Sequence, residues 1–360
     1  MEFLEIHTSD RIAFKRCRRK WEWSSPLRRN LVPKDPSEMV NLWIGTGVHF
    51  AFEDYCGYNR YGNPVIAFEA FCNAHKASEV PDFADDAIEL CMGMLEYYPY
   101  WYEQAGRPKY NTVWIDGVPQ VEVEFRLELK ELSAVAGYPV VYHGTFDRVV
   151  QDEEGMYWVE DYKTTRTMDY MRMATDPQMK AYTWAAEQVY GMDFEGAIMT
   201  QLLKSYPKPP NRLKTGGFSQ DIRQKTTYGL YRQALLDAYG NVPTNYVEFL
   251  NKLAAEESVE GNRFIRRDCI HHNRAVKENT YNSIILEGKD MLNLELPLYP
   301  NETMNCSWDC GAFRNVCIVR EEGGDYEELL RNDFVVSTRG KEEPRWRKRL
   351  EEQWNSLSNH

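Results

Sequence analysis

The stretch Val141 to Thr165, VYHGTFDRVVQDEEGMYWVEDYKTT, constrains the fold more than any other part of the chain. Two apolar-rich segments flank the polar turn Asp152-Glu153-Glu154-Gly155, which is the pattern of a β-hairpin. Asp147 and Asp161 lie equally far from Glu154, so a register symmetric about that residue makes them cross-strand neighbours with carboxylates on one face. Lys163 stands two residues beyond Asp161, and the period of two along a strand puts it on the same face. Asp and Lys are disfavoured in the middle of strands, so their clustering asks for a reason. A cross-strand salt bridge is the plain one and a metal site is the other. The tripeptide alone decides nothing, because Glu128-Leu129-Lys130 and Glu287-Gly288-Lys289 share the acidic-x-Lys form.

At 360 residues and 43% hydrophobic content the chain can bury a sizeable core, in one large domain or two moderate ones. No charged start precedes a long apolar run, and no apolar stretch is long enough to span a bilayer, so the expected location is the cytoplasm. Eight cysteines without a signal peptide point to free thiols or metal ligation rather than a disulfide framework. The net charge of -12 argues against a nucleic-acid partner only if charge is evenly spread, and it is not. Between Arg11 and Lys34 nine Lys or Arg residues face a single acid, Glu22. Such a patch can steer a polyanion, and Arg11, Lys15, Arg16, Arg18 and Arg19 are the candidate phosphate contacts. The alternative is a solvated helix face.

Thr8 or Ser9 can cap a helix running to about Trp23, in which aromatic and cationic side chains are interleaved. A second helix is expected from about Glu38 to Tyr55, where His49 and Glu53, four apart, can face a common ion. Helices at about 64–78 and 83–105 read as packing. Val121 to Leu129 alternates apolar and polar residues as a half-buried strand and leads into the hairpin. Asp176 and Pro177 open a helix that stops at Gly191, with Gln178 and Tyr182 on one face, and a strand at Gly196 to Leu203 is expected to return parallel. The loop Lys204 to Gly217, with four Lys or Arg and three prolines, is a candidate mobile or strand-guiding loop. Helices follow at about 226–239, 243–258 and 273–294, interrupted by the basic Arg263 to Arg267. The segment NCSWDCGAFRNVC and a charged tail, read as an exposed or partly disordered helix, end the chain.

Two carboxylates and a lysine suit phosphodiester hydrolysis: the acids hold Mg²⁺ or Mn²⁺ through oxygen, and the lysine orients or polarises a water. The runs GTFDRVV, WVEDYKTT and QMKAY resemble, in order and spacing, the PD-(D/E)XK nucleases of the RecB type. That resemblance implies an α/β core, a short mixed sheet flanked by helices. It also implies catalytic roles for Asp147, Asp161, Lys163, Gln178 and Tyr182. The run GTGVHFAFE resembles the family's earlier helix, which implies His49 as a metal ligand beside Asp147, Asp161 and the backbone carbonyl of Tyr162. The implied activity is metal-dependent exonucleolytic cleavage of single-stranded DNA ends. A non-catalytic DNA-binding or CRISPR-adaptation partner keeping the fold is the alternative.

Cys17, ahead of these motifs, and Cys306, Cys310 and Cys317, behind them, resemble the layout of the AddB-like nucleases and the CRISPR spacer-acquisition exonucleases. In those proteins four thiolates hold a [4Fe-4S] cluster. The spacing here is C-x3-C-x6-C, one residue longer in each gap than the C-x2-C-x5-C expected, and Zn²⁺ in the same four thiolates is the alternative. Cys269, beside His271 and His272, could substitute as a ligand. The expected organisation is one nuclease domain over 1–360, with a helical insertion at 58–115, a helical region at 220–295, the cysteine segment at 301–320 and a charged tail at 339–360. Free-standing chains of this layout are similar to bacteriophage exonucleases, which implies a bacterial host cell and possible recombination or CRISPR-adaptation protein partners.

Overall fold

In the computed structural model, which describes residues 3–35, 40–75, 84–104, 106–169, 171–307, 310–337 and 344–358, the chain opens with strand β1 (Leu4–His7), helices α1 (Thr8–Arg16) and α2 (Arg18–Ser24), and strand β2 (Leu31–Pro33). Helices α3 (Val40–Cys56), α4 (Pro64–Ala74) and α5 (Ala84–Tyr102) follow, then β3 (Asn111–Thr112), β4 (Trp114–Ile115), β5 (Val118–Pro119) and β6 (Val121–Glu128). Helix α6 (Lys130–Ala136) leads to the hairpin β7 (Val140–Gln151) and β8 (Tyr157–Thr165), then α7 (Arg172–Thr175), α8 (Pro177–Tyr190) and β9 (Gly196–Leu203). The remainder is α9 (Tyr228–Tyr239), α10 (Thr244–Ala254), β10 (Ile265–His271), α11 (Arg274–Leu292), α12 (Phe313–Glu321), α13 (Tyr326–Asp333), β11 (Phe334–Val336) and α14 (Arg345–Ser358). Among the described residues no helix is long and apolar enough to cross a membrane.

The main sheet is mixed and seven-stranded, in the order β1-β7-β8-β9-β10, with β3 and β6 also paired to β7. Arg148 pairs with Glu160 and Gln151 with Tyr157, which is the register symmetric about Glu154. Strand β7 changes partner along its length, being parallel to β1 up to His143 and antiparallel to β8 from Arg148. Strand β9 returns parallel to β8 after the crossover helix α8. Asp176 caps α8 by accepting from the N–H groups of Gln178 and Met179, and Gly191 ends it in the left-handed conformation. The buried face of α8, including Met179, Ala181, Tyr182 and Ala185, lies on the sheet with Phe125, Tyr142 and Phe146.

On the other side, α3, α4 and α5 share a second core containing Phe52, Phe68, Phe71 and Trp101. Two motif glycines permit this packing. A Cβ on Gly47 would come within 2.5 Å of the Phe68 ring, and one on Gly144 within 2.7 Å of Phe125. Smaller clusters join α9 to α10 around Tyr231 and Phe249, and α2 to α12 and α13 around Trp23, Phe313 and Phe334. The antiparallel pair β2–β11 adds a second tie between the early and late parts of the chain.

Three expectations need correction. The first helix is broken at Cys17, whose backbone is extended, so that α1 and α2 are separate helices. The stretch 220–295 is not wholly helical, because Ile265–His271 forms the antiparallel edge strand β10. The charged tail is docked rather than exposed: Trp346 and Leu350 on α14 are buried in the core of α3 and α4. Their spacing of four supplies an apolar stripe that the surrounding charge conceals. Part of that tail, residues 339–343 and 359–360, lies outside the described residues.

Candidate metal centre

Three acids stand in one row across three strands. The β6–β7 register pairs Val121 with Arg148 and Val123 with Phe146, so Glu122 faces Asp147, while the hairpin register brings Asp161 to the other side of Asp147. Both ladders leave this row unpaired. The Asp147 carboxylate instead accepts the Tyr162 N–H at 2.7 Å, and Glu122 has φ of 48°, the left-handed region. A non-glycine residue there costs about 1 kcal/mol or more, and such strain persists where surrounding structure enforces it.

Helix α3 brings His49 onto this row. Its Nδ1 lies 3.2 Å from Glu122 Oε1 and 3.6 Å from Asp147 Oδ2, and its Nε2 lies 3.1 Å from the Tyr162 carbonyl oxygen. Ligand atoms of His49, Glu122 and Asp147 all fall within 4.8 Å of one another. Burial alone would lower the His49 pKa, yet the carboxylates of Asp147 and Glu122 push it up to about 10. Burial raises Asp161 to about 7 despite the Lys163 ammonium, and Asp147 is raised by burial against the opposing His49 charge. These acids crowd a desolvated site that favours an added cation.

Lys163 Nζ donates to Asp161 Oδ1 and to Gln178 Oε1, each at 3.0 Å, and Gln178 Nε2 donates to Asp161 Oδ1 at 3.1 Å. Asp161 Oδ2 is buried and ion-paired with Lys163 Nζ at 2.8 Å, with no further donor on it. Burial works against the Lys163 charge, but the two aspartates outweigh it and raise its pKa, so the ammonium stays charged. Tyr182 packs edge-on against Phe125 and Phe146, one turn along α8 from Gln178. The opposite face of β8 is locked by Glu160, which accepts from Arg148 at 2.9 Å and Thr200 at 2.7 Å and pairs with Arg267 at 2.9 Å. The Tyr162 ring stacks on Phe52 on that side, which fixes the carbonyl toward His49.

The structure thus brings together His49, Asp147, Asp161, Tyr162, Lys163, Gln178 and Tyr182. It adds Glu122, which sequence reading passed over. Its alternating strand offers Glu122, Glu124, Arg126 and Glu128 as equivalents, and only the β6–β7 register singles out the one opposite Asp147. Glu53 is not in the site, because Arg347 of α14 binds it through two hydrogen bonds of 2.8 and 2.6 Å.

The basic segment is also reassigned in part. Arg11 is 2% exposed and donates to Glu287 and Tyr142, and Arg19 is buried against Glu321 and Cys317. Neither can meet a phosphate. Lys15 pairs with Glu287 at 3.0 Å, and Arg18 lies 3.6 Å from Asp290 and over the rings of Phe14 and Tyr299. Of the five, Lys15 and Arg16 remain exposed. The charges mainly fasten α1 and α2 to later helices. By contrast Lys208, Arg212, Lys214 and Lys225 are exposed in the loop after β9, which leaves the sheet beside Thr165.

Cys17, Cys306, Cys310 and Cys317 line one cavity of about 760 Å³. The Asn301 N–H points at Cys17 Sγ at 3.5 Å, the Thr303 N–H at Cys306 Sγ at 3.4 Å, and Arg19 Nη1 at Cys317 Sγ at 3.7 Å. Burial, reinforced by the other three thiols against the pull of Lys20, pushes Cys310 up to about 11. The donors favour bound thiolates, and among the described residues no three of these sulfurs lie within 4.8 Å of one another. Cys269 is elsewhere, on β10 beside the Tyr110 hydroxyl at 3.0 Å.

A family model described as the PD-(D/E)XK nuclease superfamily matches residues 9–317. No curated protein matches the chain.

Proposed function

The chain belongs to the PD-(D/E)XK nuclease superfamily, and from that premise we propose that it is a metal-dependent DNA exonuclease acting on single-stranded ends. The mixed sheet flanked by helices is the fold of that superfamily. The observation that carries the reading is the clustering of His49, Glu122 and Asp147, whose ligand atoms lie within 4.8 Å of one another, beside the buried Asp161 and its Lys163 partner. A divalent cation of the Mg²⁺ or Mn²⁺ class, when bound there, neutralises the scissile phosphate and lowers the pKa of a water.

The chain's own residues do the rest. The Tyr162 N–H fixes the Asp147 carboxylate, and the Glu160 ion network behind β8 holds the strand that carries Asp161 and Lys163. Lys163, kept charged by the aspartates, offers its protons to a water or a phosphate oxygen, and Gln178 fixes its position. Tyr182, one turn further along α8 and packed on the sheet, anchors the helix face that presents Gln178. The exposed cations of the loop after β9 are the proposed path for the strand's phosphates, with Lys15 and Arg16 secondary.

The cysteine cavity is read as the seat of a [4Fe-4S] cluster held by Cys17, Cys306, Cys310 and Cys317. A single zinc ion with Zn–S bonds of about 2.3 Å would need the sulfurs roughly 4 Å apart. The cavity of about 760 Å³ shared by the four thiols, with N–H donors aimed at sulfur, supports the larger group.

The exonuclease reading is tested with the full chain and Mn²⁺ on labelled linear single-stranded DNA and on a closed circle of the same sequence. Digestion of the linear form with the circle intact is expected. Cleavage of the circle would overturn strict end dependence, and cleavage of neither would overturn catalysis.

A further inference from the structure

A second group of metal-ligating side chains lies on the same sheet, away from the row just described. Glu5 and His7 of β1 meet His143 of β7, and their ligand atoms all fall within 4.8 Å of one another. The β1–β7 register pairs His7 directly with His143, and their rings lie 4.6 Å apart. His143 precedes Asp147 by four residues, a separation of about 13 Å along the strand. The two groups cannot share one ion.

The side chains are arranged as ligands with their far sides already held. His143 is 9% exposed, its buried Nδ1 has no hydrogen-bond partner, and that atom lies 3.4 Å from Glu5 Oε2. Its other nitrogen, Nε2, is 2.7 Å from Glu124 Oε1. Metal-bound histidines characteristically make this second contact to a carboxylate, which fixes the tautomer that leaves the other nitrogen bare. Glu124 is itself gripped by two nitrogens of Arg126, at 2.8 and 3.0 Å. The third Arg126 nitrogen holds Glu5 Oε1 at 3.0 Å, which leaves Glu5 Oε2 to face His143 and His7 Nε2, the latter at 3.6 Å. Asp10 is the further charged group near His7, bonded to its backbone N–H. Counting Glu5, Glu124, Asp10 and Arg126, the formal balance around the two imidazoles is anionic.

We propose that Glu5, His7 and His143 form a second divalent-cation site of the zinc class that fastens the edge strand β1 to β7. Two imidazoles and one carboxylate are a donor set that suits Zn²⁺ rather than Mg²⁺, which takes oxygen ligands. The site is separate from the His49 centre in ligands and in preferred metal. Strand β1 has four residues and pairs with one neighbour, so a metal staple at its end reinforces a short ladder.

The test is zinc bound per chain after equilibrium dialysis of the full-length protein, for wild type, Glu5→Gln, His7→Asn, His143→Gln and His7→Asn/His49→Ala. His7 is the N-cap of α1, and asparagine preserves a cap while removing the imidazole. Each single variant is expected to bind one zinc fewer per chain than wild type, and the double variant fewer still. Mn²⁺-dependent activity of Glu5→Gln should stay within about twofold of wild type, since that residue lies outside the catalytic row. Unchanged zinc content in Glu5→Gln and His7→Asn would overturn the site, as would a double variant that loses no more zinc than a His49→Ala single variant dialysed beside it. Should His143→Gln fail to fold by circular dichroism, the two variants on β1 carry the test.

Discussion

The residue that most sharpens the account is Glu122. Its left-handed backbone is strained, and its carboxylate meets His49 and faces Asp147. Glu122→Gly is therefore predicted to leave folding stability unchanged or to raise it by up to about 1 kcal/mol, while Mn²⁺ affinity falls by roughly 10–100-fold. Denaturant unfolding and the Mn²⁺ dependence of cleavage measure the two effects. A variant that lost stability and affinity together would make Glu122 a structural residue. The pH dependence follows from the same charges. In the metal-free protein His49 is pushed up to about 10 and Asp161 to about 7, so near neutral pH an arriving cation must displace protons from both. Apparent Mn²⁺ affinity is predicted to rise as pH increases through 7 and beyond, with proton release seen by calorimetry in buffers of different ionisation enthalpy. Zero protons released would contradict the burial argument. Asp147, Asp161 and Lys163 were legible in the sequence because a hairpin's period of two and a symmetric turn fix which side chains meet. Glu122 was not, because its role depends on a pairing with β7 that local alternation does not encode.

At the scale of the element, β8 carries two opposed chemistries on its two faces. Glu160 is lowered despite burial, because Arg267 and Arg148 favour its charge, whereas Asp161 next to it is raised by burial. The consequences for stability have opposite signs. Asp161 has a folded pKa above its unfolded value, so the folded state loses stability as pH rises from about 4 to 7, and above that range the charged carboxylate is a liability. Asp161→Asn is predicted to raise the melting temperature of the metal-free protein at pH 8. Glu160→Ala leaves two buried guanidinium groups uncompensated and is predicted to cost on the order of 3–5 kcal/mol. Thermal unfolding of both variants in chelator checks the contrast, and a stabilising Glu160→Ala or a destabilising Asp161→Asn would contradict it. The hairpin, α8 and β9 were legible because caps, stop glycine and alternation agree. Strand β10 was obscured by its basic residues, of which Arg267 is buried by pairing with Glu160. Helix α14 was obscured by charge around the buried Trp346 and Leu350.

At the scale of the whole molecule, the early and late segments are tied together around the main sheet by the Trp23–Phe313–Phe334 cluster, the β2–β11 pair and the cysteine cavity. The arginines that reinforce this closure were not legible in the sequence, since a run of cations reads equally as a phosphate surface until Glu287 and Glu321 are seen opposite Arg11 and Arg19. Anaerobically prepared protein is predicted to carry about four iron atoms per chain and to absorb in the visible, with removal of the iron lowering the melting temperature. A colourless, zinc-loaded protein would contradict the cluster and leave the closure to a single ion. In the proposed function His49, Glu122, Asp147, Asp161 and Lys163 form one metal-dependent hydrolytic centre. The direct measurement is cleavage of linear single-stranded DNA by wild type, Asp161→Asn and Lys163→Ala, with Mn²⁺ and with chelator, on samples shown to be folded. Cleavage by wild type only with metal is predicted, with a loss of about a hundredfold or more in both variants. Cleavage in chelator, or near-wild-type cleavage by folded Asp161→Asn, would contradict it.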